Sequence, residues 1–185
     1  QYVVCLGLIH RESGQAWMID ATPDFREQLA LLRRAAPECK LAGILLTHAH
    51  MGHYTGLIQL GREAWNTQRM PIHATPRMAA FLMRNQPWQQ LAKFGNIALR
   101  LSPPGQPIAL ASGLSATPLA VPHRDEWSDT MAFRIEGPER SLFYCPDIDD
   151  WDRWDYPLPR MLAEVDVALL DGAFFSPAEI PGRNI

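Results

Sequence analysis

At 185 residues the chain is the size of one domain with a sizeable core. Hydrophobic residues make up 47% and charged residues 20%, which excludes a disordered or collagen-like chain. The net charge of -3 and the lack of any Lys/Arg-rich run argue against a nucleic-acid partner, so RNA processing starts as a disfavoured reading. The longest plain apolar run of the first half, Leu41 to Leu46, is far too short to span a bilayer, and no membrane partner is expected. No signal peptide is visible, but the chain opens at Gln1 directly in a strand-like run, so its start reads as clipped. Cys5, Cys39 and Cys145 are odd in number and scattered; they read as small buried thiols of a reducing compartment, and the expected location is cytoplasmic.

Short strands alternate with helices along the chain. Tyr2 to Ile9 and Ala16 to Asp20 are strand candidates, joined by the turn Arg11-Glu12-Ser13-Gly14. Thr22-Pro23-Asp24 predicts a helix start, with Thr22 as cap, Pro23 at the first helical position, and Phe25, Leu29 and Leu32 following at helical spacing. Leu41 to Leu46 is apolar without alternation, the mark of a strand covered on both faces. Helices are predicted over Thr55 to Trp65 and Pro76 to Asn85. Beyond them, Ile97 to Leu101, Ile108 to Leu110, Leu114 to Val121, Thr130 to Ile135 and Ser141 to Cys145 are strands punctuated by proline and glycine. A helix near Pro159 to Glu164 and a last buried strand, Val167 to Leu170, complete a layered α/β pattern with two sheets in one domain, 1–185.

Chemistry concentrates in Thr47-His48-Ala49-His50-Met51-Gly52-His53, directly after the covered strand. In an extended segment residues i and i+2 share a side, so His48 and His50 can converge on one ion. His53 falls near the start of the next helix and suits a second position. Neutral imidazole is a common ligand of tetrahedral zinc, and ligands gather at the C-terminal ends of strands in α/β sheets. His123 and Asp147 each follow a predicted strand and are the candidates to complete the set. His10, in a turn, and His73, at a short strand, read as structural or surface residues. Trp127, Trp151 and Trp154 flank the His123 and Asp147 segments; packing is their default role, and an apolar wall for a ring-bearing substrate is the alternative.

The His cluster resembles the H-x-H-x-D-H signature of the metallo-β-lactamase superfamily, and Asp20, the cluster, His123, Asp147 and Asp171 follow in that superfamily's motif order. Within it, segments 20–26, 47–57, 126–130 and 144–149, and Phe174-Phe175 running to Pro181-Gly182-Arg183, are similar to the pyrroloquinoline quinone biosynthesis protein B group. The resemblance implies an αβ/βα sandwich, two mixed sheets flanked by helices. It also implies that Asp20 and Asp171 orient the metal-binding loops rather than bind. Two departures stand out: Gly52 replaces the motif's Asp, and no histidine follows His123. The end of the chain therefore reads as truncated, with a C-terminal strand–helix unit missing as well as an N-terminal strand. His48, His50 and His123 make a complete three-histidine position, and a second position keeps only His53 and Asp147.

One bound ion, zinc or alternatively iron(II), is thus expected rather than two. The leading reading is a hydrolase in which zinc activates water, with Asp147 and His53 as catalytic groups, Asp147 the first candidate proton shuttle, and Glu126 or Asp129 weaker ones. Trp127, Glu126 and Asp129 are the expected substrate pocket. The substrate is expected to be a small molecule or peptide-derived, with a homodimer left open. Two rivals are an iron-dependent hydroxylase in quinone cofactor biosynthesis and a non-catalytic carrier.

Overall fold

A computed structural model describes residues 2–173 and residue 179. Strands β1 (Leu6–His10) and β2 (Gln15–Ile19) pair antiparallel, and β3 (Lys40–Leu45), β4 (Met70–Ala74) and β5 (Ile97–Leu101) add in parallel, in the order β1-β2-β3-β4-β5. The second sheet is an antiparallel meander of β6 (Ile108–Ala111), β7 (Leu114–Ala120), β8 (Met131–Glu136) and β9 (Ser141–Cys145), with β10 (Val167–Leu170) parallel to β9 at its edge. Helices α1 (Phe25–Ala35), α2 (Met51–Tyr54), α3 (Pro76–Arg84) and α4 (Trp88–Lys93) belong to the half of the chain that builds the first sheet; α5 (Leu158–Ala163) packs on the second. The result is two mixed sheets flanked by helices, as expected. Among the described residues no helix is long and apolar enough to cross a membrane.

Strand pleating sorts each apolar run onto two faces. Trp17, Ile19 and Leu45 meet Phe133, Ile135 and Tyr144 between the sheets. Met18, Ile44 and Ile72 turn the other way, toward Phe25, Leu57, Met78 and Leu82. Ala132, Phe143 and Cys145 face Trp154 and Met161 on the far side of the second sheet. Runs with both faces covered need no polar alternation, which explains the unbroken apolar stretch at β3. Cys39 and Cys145 are buried, Cys5 is half-buried, and all three are free thiols.

Several boundaries differ from the sequence reading. The first strand begins at Leu6, because Tyr2 to Cys5 is drawn onto α1 instead: Val3 N donates to Asp24 Oδ2 at 2.7 Å and Gln28 Nε2 donates to Val3 O at 2.7 Å. Helix α1 begins at Phe25, after Pro23, and Thr22 holds the preceding turn by accepting from Asp24 N at 3.0 Å. The helix expected from Thr55 is instead the short α2 followed by a 3-10 turn over Thr55–Leu60. Helix α4 went unpredicted; its six residues are too few to establish a period. Strand β10 is not buried: Val167, Leu169 and Leu170 are exposed along the sheet edge. Trp154 is a packing residue, stacked on Phe143 with ring centres 5.4 Å apart, and Trp151 abuts it at 6.1 Å.

Gly56 fixes the turn behind the site. Its N–H donates to Ala21 O at 2.8 Å, and a β-carbon there would lie 2.1 Å from Thr22 O and 2.8 Å from Ala21 O. Those atoms are backbone and cannot step aside. Gly56→Ala is expected to lower the stability measured by urea unfolding by about 1–3 kcal/mol or more. Gly52→Ala, whose β-carbon would meet only Val3 Cγ1 at 3.4 Å, should stay near the original value. Equal midpoints for Gly56→Ala and the parent protein would show that the close approach carries no weight.

Candidate metal centre

The loop after β3 is held from both sheets. Leu46 N donates to His73 O at 2.9 Å in the first sheet, and Met131 N, at the start of β8, donates to Thr47 O at 3.1 Å. Beneath the loop lies Asp20, fully buried, with a left-handed φ of 73°. Aspartate tolerates that conformation better than most residues. Its Oδ1 accepts from Thr47 N at 2.8 Å, and its Oδ2 lies 2.9 Å from Thr47 Oγ1 and 2.7 Å from His53 Nδ1.

These bonds decide which nitrogen of each ring carries the proton. The Thr47 hydroxyl spends its only proton on Asp20, so its contact with His48 Nδ1 at 3.0 Å has the ring donating to Oγ1. The Nε2 lone pair of His48 is then left facing the site. His123 Nδ1 donates to Asp149 Oδ1 at 2.7 Å, which leaves its Nε2 free. His50 Nε2 donates to Glu126 Oε2 at 3.0 Å, which leaves its Nδ1. The three inward nitrogens crowd together: His50 Nδ1 is 2.8 Å from His48 Nε2 and 3.1 Å from His123 Nε2. Three lone pairs aimed at one another repel unless a cation lies among them. The donor set therefore fits a metal ion, and each ring has the outer hydrogen-bond partner that metal-bound histidines normally have.

A second group overlaps the first. His53 Nε2 lies 2.8 Å from Asp147 Oδ2, which is also 3.4 Å from His48 Nε2. The ligand atoms of His48, His50 and His123 all lie within 4.8 Å of one another, and so do those of His48, His53 and Asp147. Burial, with the charge of His53 adding, pushes His48 down to about 2, so its lone pair stays available. Burial opposes a charge on His53, but Asp20 and Asp147 on its two nitrogens overcome this and raise it to about 10. Burial likewise opposes the Asp147 carboxylate, yet the hydrogen bond from His53 and the surrounding imidazoles hold it down near 2.

The structure thus brings His48, His50, His53, His123 and Asp147 into one cluster. Asp171 lies behind it: Oδ2 accepts from Ile148 N at 3.2 Å and Oδ1 from Ala173 N at 2.8 Å, which steadies the segment carrying Asp147 and Asp149. Glu126 and Asp129, both expected in the substrate pocket with Trp127, also serve the framework of the site. Glu126 orients His50, and Asp129 Oδ1 accepts from Thr75 Oγ1 at the cap of α3. Trp127 is left exposed between them. His73, half-buried on β4, makes its ring contact with Ser102 Oγ at 3.2 Å, and His10 pairs with Ser13 Oγ at 2.9 Å. The segment Phe174 to Arg183, Glu179 apart, lies outside the described residues. Sequence reasoning missed Thr47, Asp149 and Ser128. Asp149 left a signal there, two residues after Asp147, and Thr47 left one as the polar residue directly before His48.

Thr47→Val keeps the shape of the side chain and all four imidazoles but removes the acceptor for His48 Nδ1–H. Metal affinity, measured by competition with a chelator dye, is expected to fall about 10–100-fold, whereas Ser102→Ala behind His73 should leave it unchanged. An unaltered affinity in Thr47→Val would mean that the Thr47–Asp20 link does not orient His48.

Comparison with known proteins agrees with this geometry. A family model described as a beta-lactamase superfamily domain matches residues 17–183. The chain is 29% identical over 181 residues to coenzyme PQQ synthesis protein B of Methylobacterium sp. (strain 4-46), covering 88% of the chain and 58% of that relative. It is 28% identical over 185 residues to ribonuclease Z of Bradyrhizobium sp. (strain ORS 278), covering 95% and 59%. The solved structure of Zn(2+)-bound PqqB from Methylobacterium extorquens superposes with a TM-score of 0.69 at 22% identity, over 89% of this chain and 58% of that one. The chain spans less than two thirds of the length of each of these relatives. With most of its length matched by the family model, and with two mixed sheets whose joined ends carry the histidine cluster, the chain belongs to the beta-lactamase superfamily domain family and has the metallo-β-lactamase fold.

Proposed function

We propose that the chain is a metal-dependent hydrolase that holds one zinc-type ion with His48, His50 and His123. The observation that carries this is the inward trio of ring nitrogens, each freed by an acceptor on the opposite side of its ring. An ion of this kind supplies Lewis acidity, polarising a carbonyl or phosphoryl oxygen and making water acidic enough to ionise near neutral pH.

The protein's own groups supply the rest. Thr47, Glu126 and Asp149 each accept from the outer nitrogen of a ring and so orient all three imidazoles. Asp147, held by His53, has a carboxylate oxygen beside the trio and is the group that would accept and return a proton. One ion rather than two follows from donor arithmetic. Both groups use His48, and a single imidazole lone pair serves one ion. With His48 engaged, the second position has only His53 and Asp147 among the described residues. The similarity to coenzyme PQQ synthesis protein B supports a small-molecule or peptide-derived substrate from quinone cofactor maturation. The similarity to ribonuclease Z raises RNA as an alternative, against which stand the net charge of -3 and the absence of a basic run.

One arrangement favours a second reading. His48, His53 and Asp147 are two histidines and a carboxylate, the donor composition of non-haem iron oxygenases. Metal titration of the purified protein separates the two. One tight equivalent of zinc is expected, lost in His48→Ala and His123→Ala and kept in His73→Ala. Two equally tight equivalents, or selective iron binding with oxygen consumption, would overturn the single-zinc hydrolase, and no tight metal at all would leave a carrier.

Gly52 bears on the same count. Its φ lies outside the left-handed region, so the backbone does not require glycine there, contrary to one explanation its presence invites. Gly52→Asp, which restores the family's acid, should fold with little change in Tm and take up a second equivalent of zinc. A well-folded variant with unchanged stoichiometry would show that the second position fails for want of some other donor.

A further inference from the structure

Two large apolar side chains stand in solvent on the segments that carry the metal cluster and its His50 partner. Met51 is 72% exposed and Trp127 is 66% exposed, the two highest values among the large hydrophobic residues described. Neither covers a core. Met51 directly follows His50. Trp127 lies between Glu126 and Ser128, and both of these neighbours bond to the histidine loop: Glu126 Oε2 accepts from His50 Nε2 at 3.0 Å, and Ser128 Oγ accepts from Ala49 N at 2.9 Å. The Ser128 hydroxyl in turn donates to Asp129 O at 2.9 Å. On the other side, Thr55 Oγ1 donates to Met51 O at 2.7 Å. Trp127 is therefore held between two residues bonded to segment 49–50, and Met51 directly follows that segment and is bonded to Thr55. Scattered single hydrophobes on a surface need no explanation, but these two both adjoin His50, Met51 in sequence and Trp127 through its neighbour Glu126.

The geometry points to Met51 and Trp127 as a paired apolar rim that selects substrates bearing an aromatic or extended apolar group next to the anionic or carbonyl function that meets the metal. This rests on the metal-centre reading above and narrows its substrate class. A thioether and an indole suit a flat ring: sulfur packs well at a ring edge, and ring pairs gain from offset or edge contact. The cost of leaving both side chains in water before binding is recovered when a ring covers them.

Two hydroxamates give the test, because both present the same metal-binding head and differ in what lies beside it. Acetohydroxamate and benzohydroxamate are titrated into the zinc-loaded full chain by calorimetry. The parent protein is expected to bind benzohydroxamate about tenfold more tightly. Trp127→Ala should remove most of that preference and Met51→Ala part of it, with acetohydroxamate affinity unchanged in both. Leu101→Ala, which removes a side chain 65% exposed on β5 of the first sheet, should keep the full preference. Equal affinity of the parent protein for the two compounds, or a preference that survives in the Trp127→Ala, Met51→Ala double variant, would overturn the rim while leaving the metal centre standing. Failure of both compounds to bind would overturn the metal-centre reading and the rim with it.

Discussion

Asp20 is a carboxylate with no solvent contact, placed at the end of β2 in a conformation that most residues avoid. A charge so buried costs several kcal/mol unless donors surround it. Here the donors are the backbone and hydroxyl of Thr47 and the ring of His53. The same three bonds that satisfy Asp20 give the His48 loop its course, direct the His48 proton outward, and point His53 at Asp147. One buried charge therefore sets both halves of the cluster. The local geometry around it follows: Gly56 must be glycine because the 3-10 turn runs against the backbone next to Asp20, and the chain bends into that turn instead of continuing a helix.

The division of labour between the sheets is as specific. The first sheet presents His48 and His50 on the loop after β3 and His53 on the short α2 that follows. The second presents His123 after β7 and Asp147 and Asp149 after β9. Each half also donates a bond across to the other: Met131 N to Thr47 O, and Ala49 N to Ser128 Oγ. The chain is similar to proteins with quite different names, a cofactor synthesis protein and a ribonuclease among them. A fold does not by itself set a substrate, so specificity has to reside in the side chains around the site.

Much of this was legible in the sequence, for identifiable reasons. A strand-length apolar run bounded by polar residues gave β3, and runs punctuated by proline and glycine gave β5 to β9, each within a residue or two. The histidine cluster could be read because i, i+2 spacing in an extended loop has a direct geometric meaning. The losses have equally physical causes. The departure of Tyr2 to Cys5 from β1 depends on Asp24 and Gln28, more than twenty residues away in sequence. The partnership of His50 with Glu126 spans seventy-six positions, and no spacing rule connects them. Thr47 was visible as a polar residue beside a ligand, but its role as relay between Asp20 and His48 exists only once β2 and β3 lie side by side. The exposed edge at β10 was misread because its composition, Val-Ala-Leu-Leu, is that of a buried strand.

The two sheets meet through an apolar layer, and at their upper ends through the histidine cluster. Apolar contact resists separation but is indifferent to small sliding, whereas ligands drawn from both sheets and converging on one point are not. An ion held there would act as a rivet between halves of the domain that the chain connects only through the segment from β5 to β6. Any affinity for the folded cluster becomes stability of the whole domain by linkage, about 2.7 kcal/mol when free ion exceeds its Kd a hundredfold. The supply of metal would then govern how long the domain survives proteolysis as well as whether it can act, and a cell short of the ion would hold less of the protein rather than an idle reserve of it.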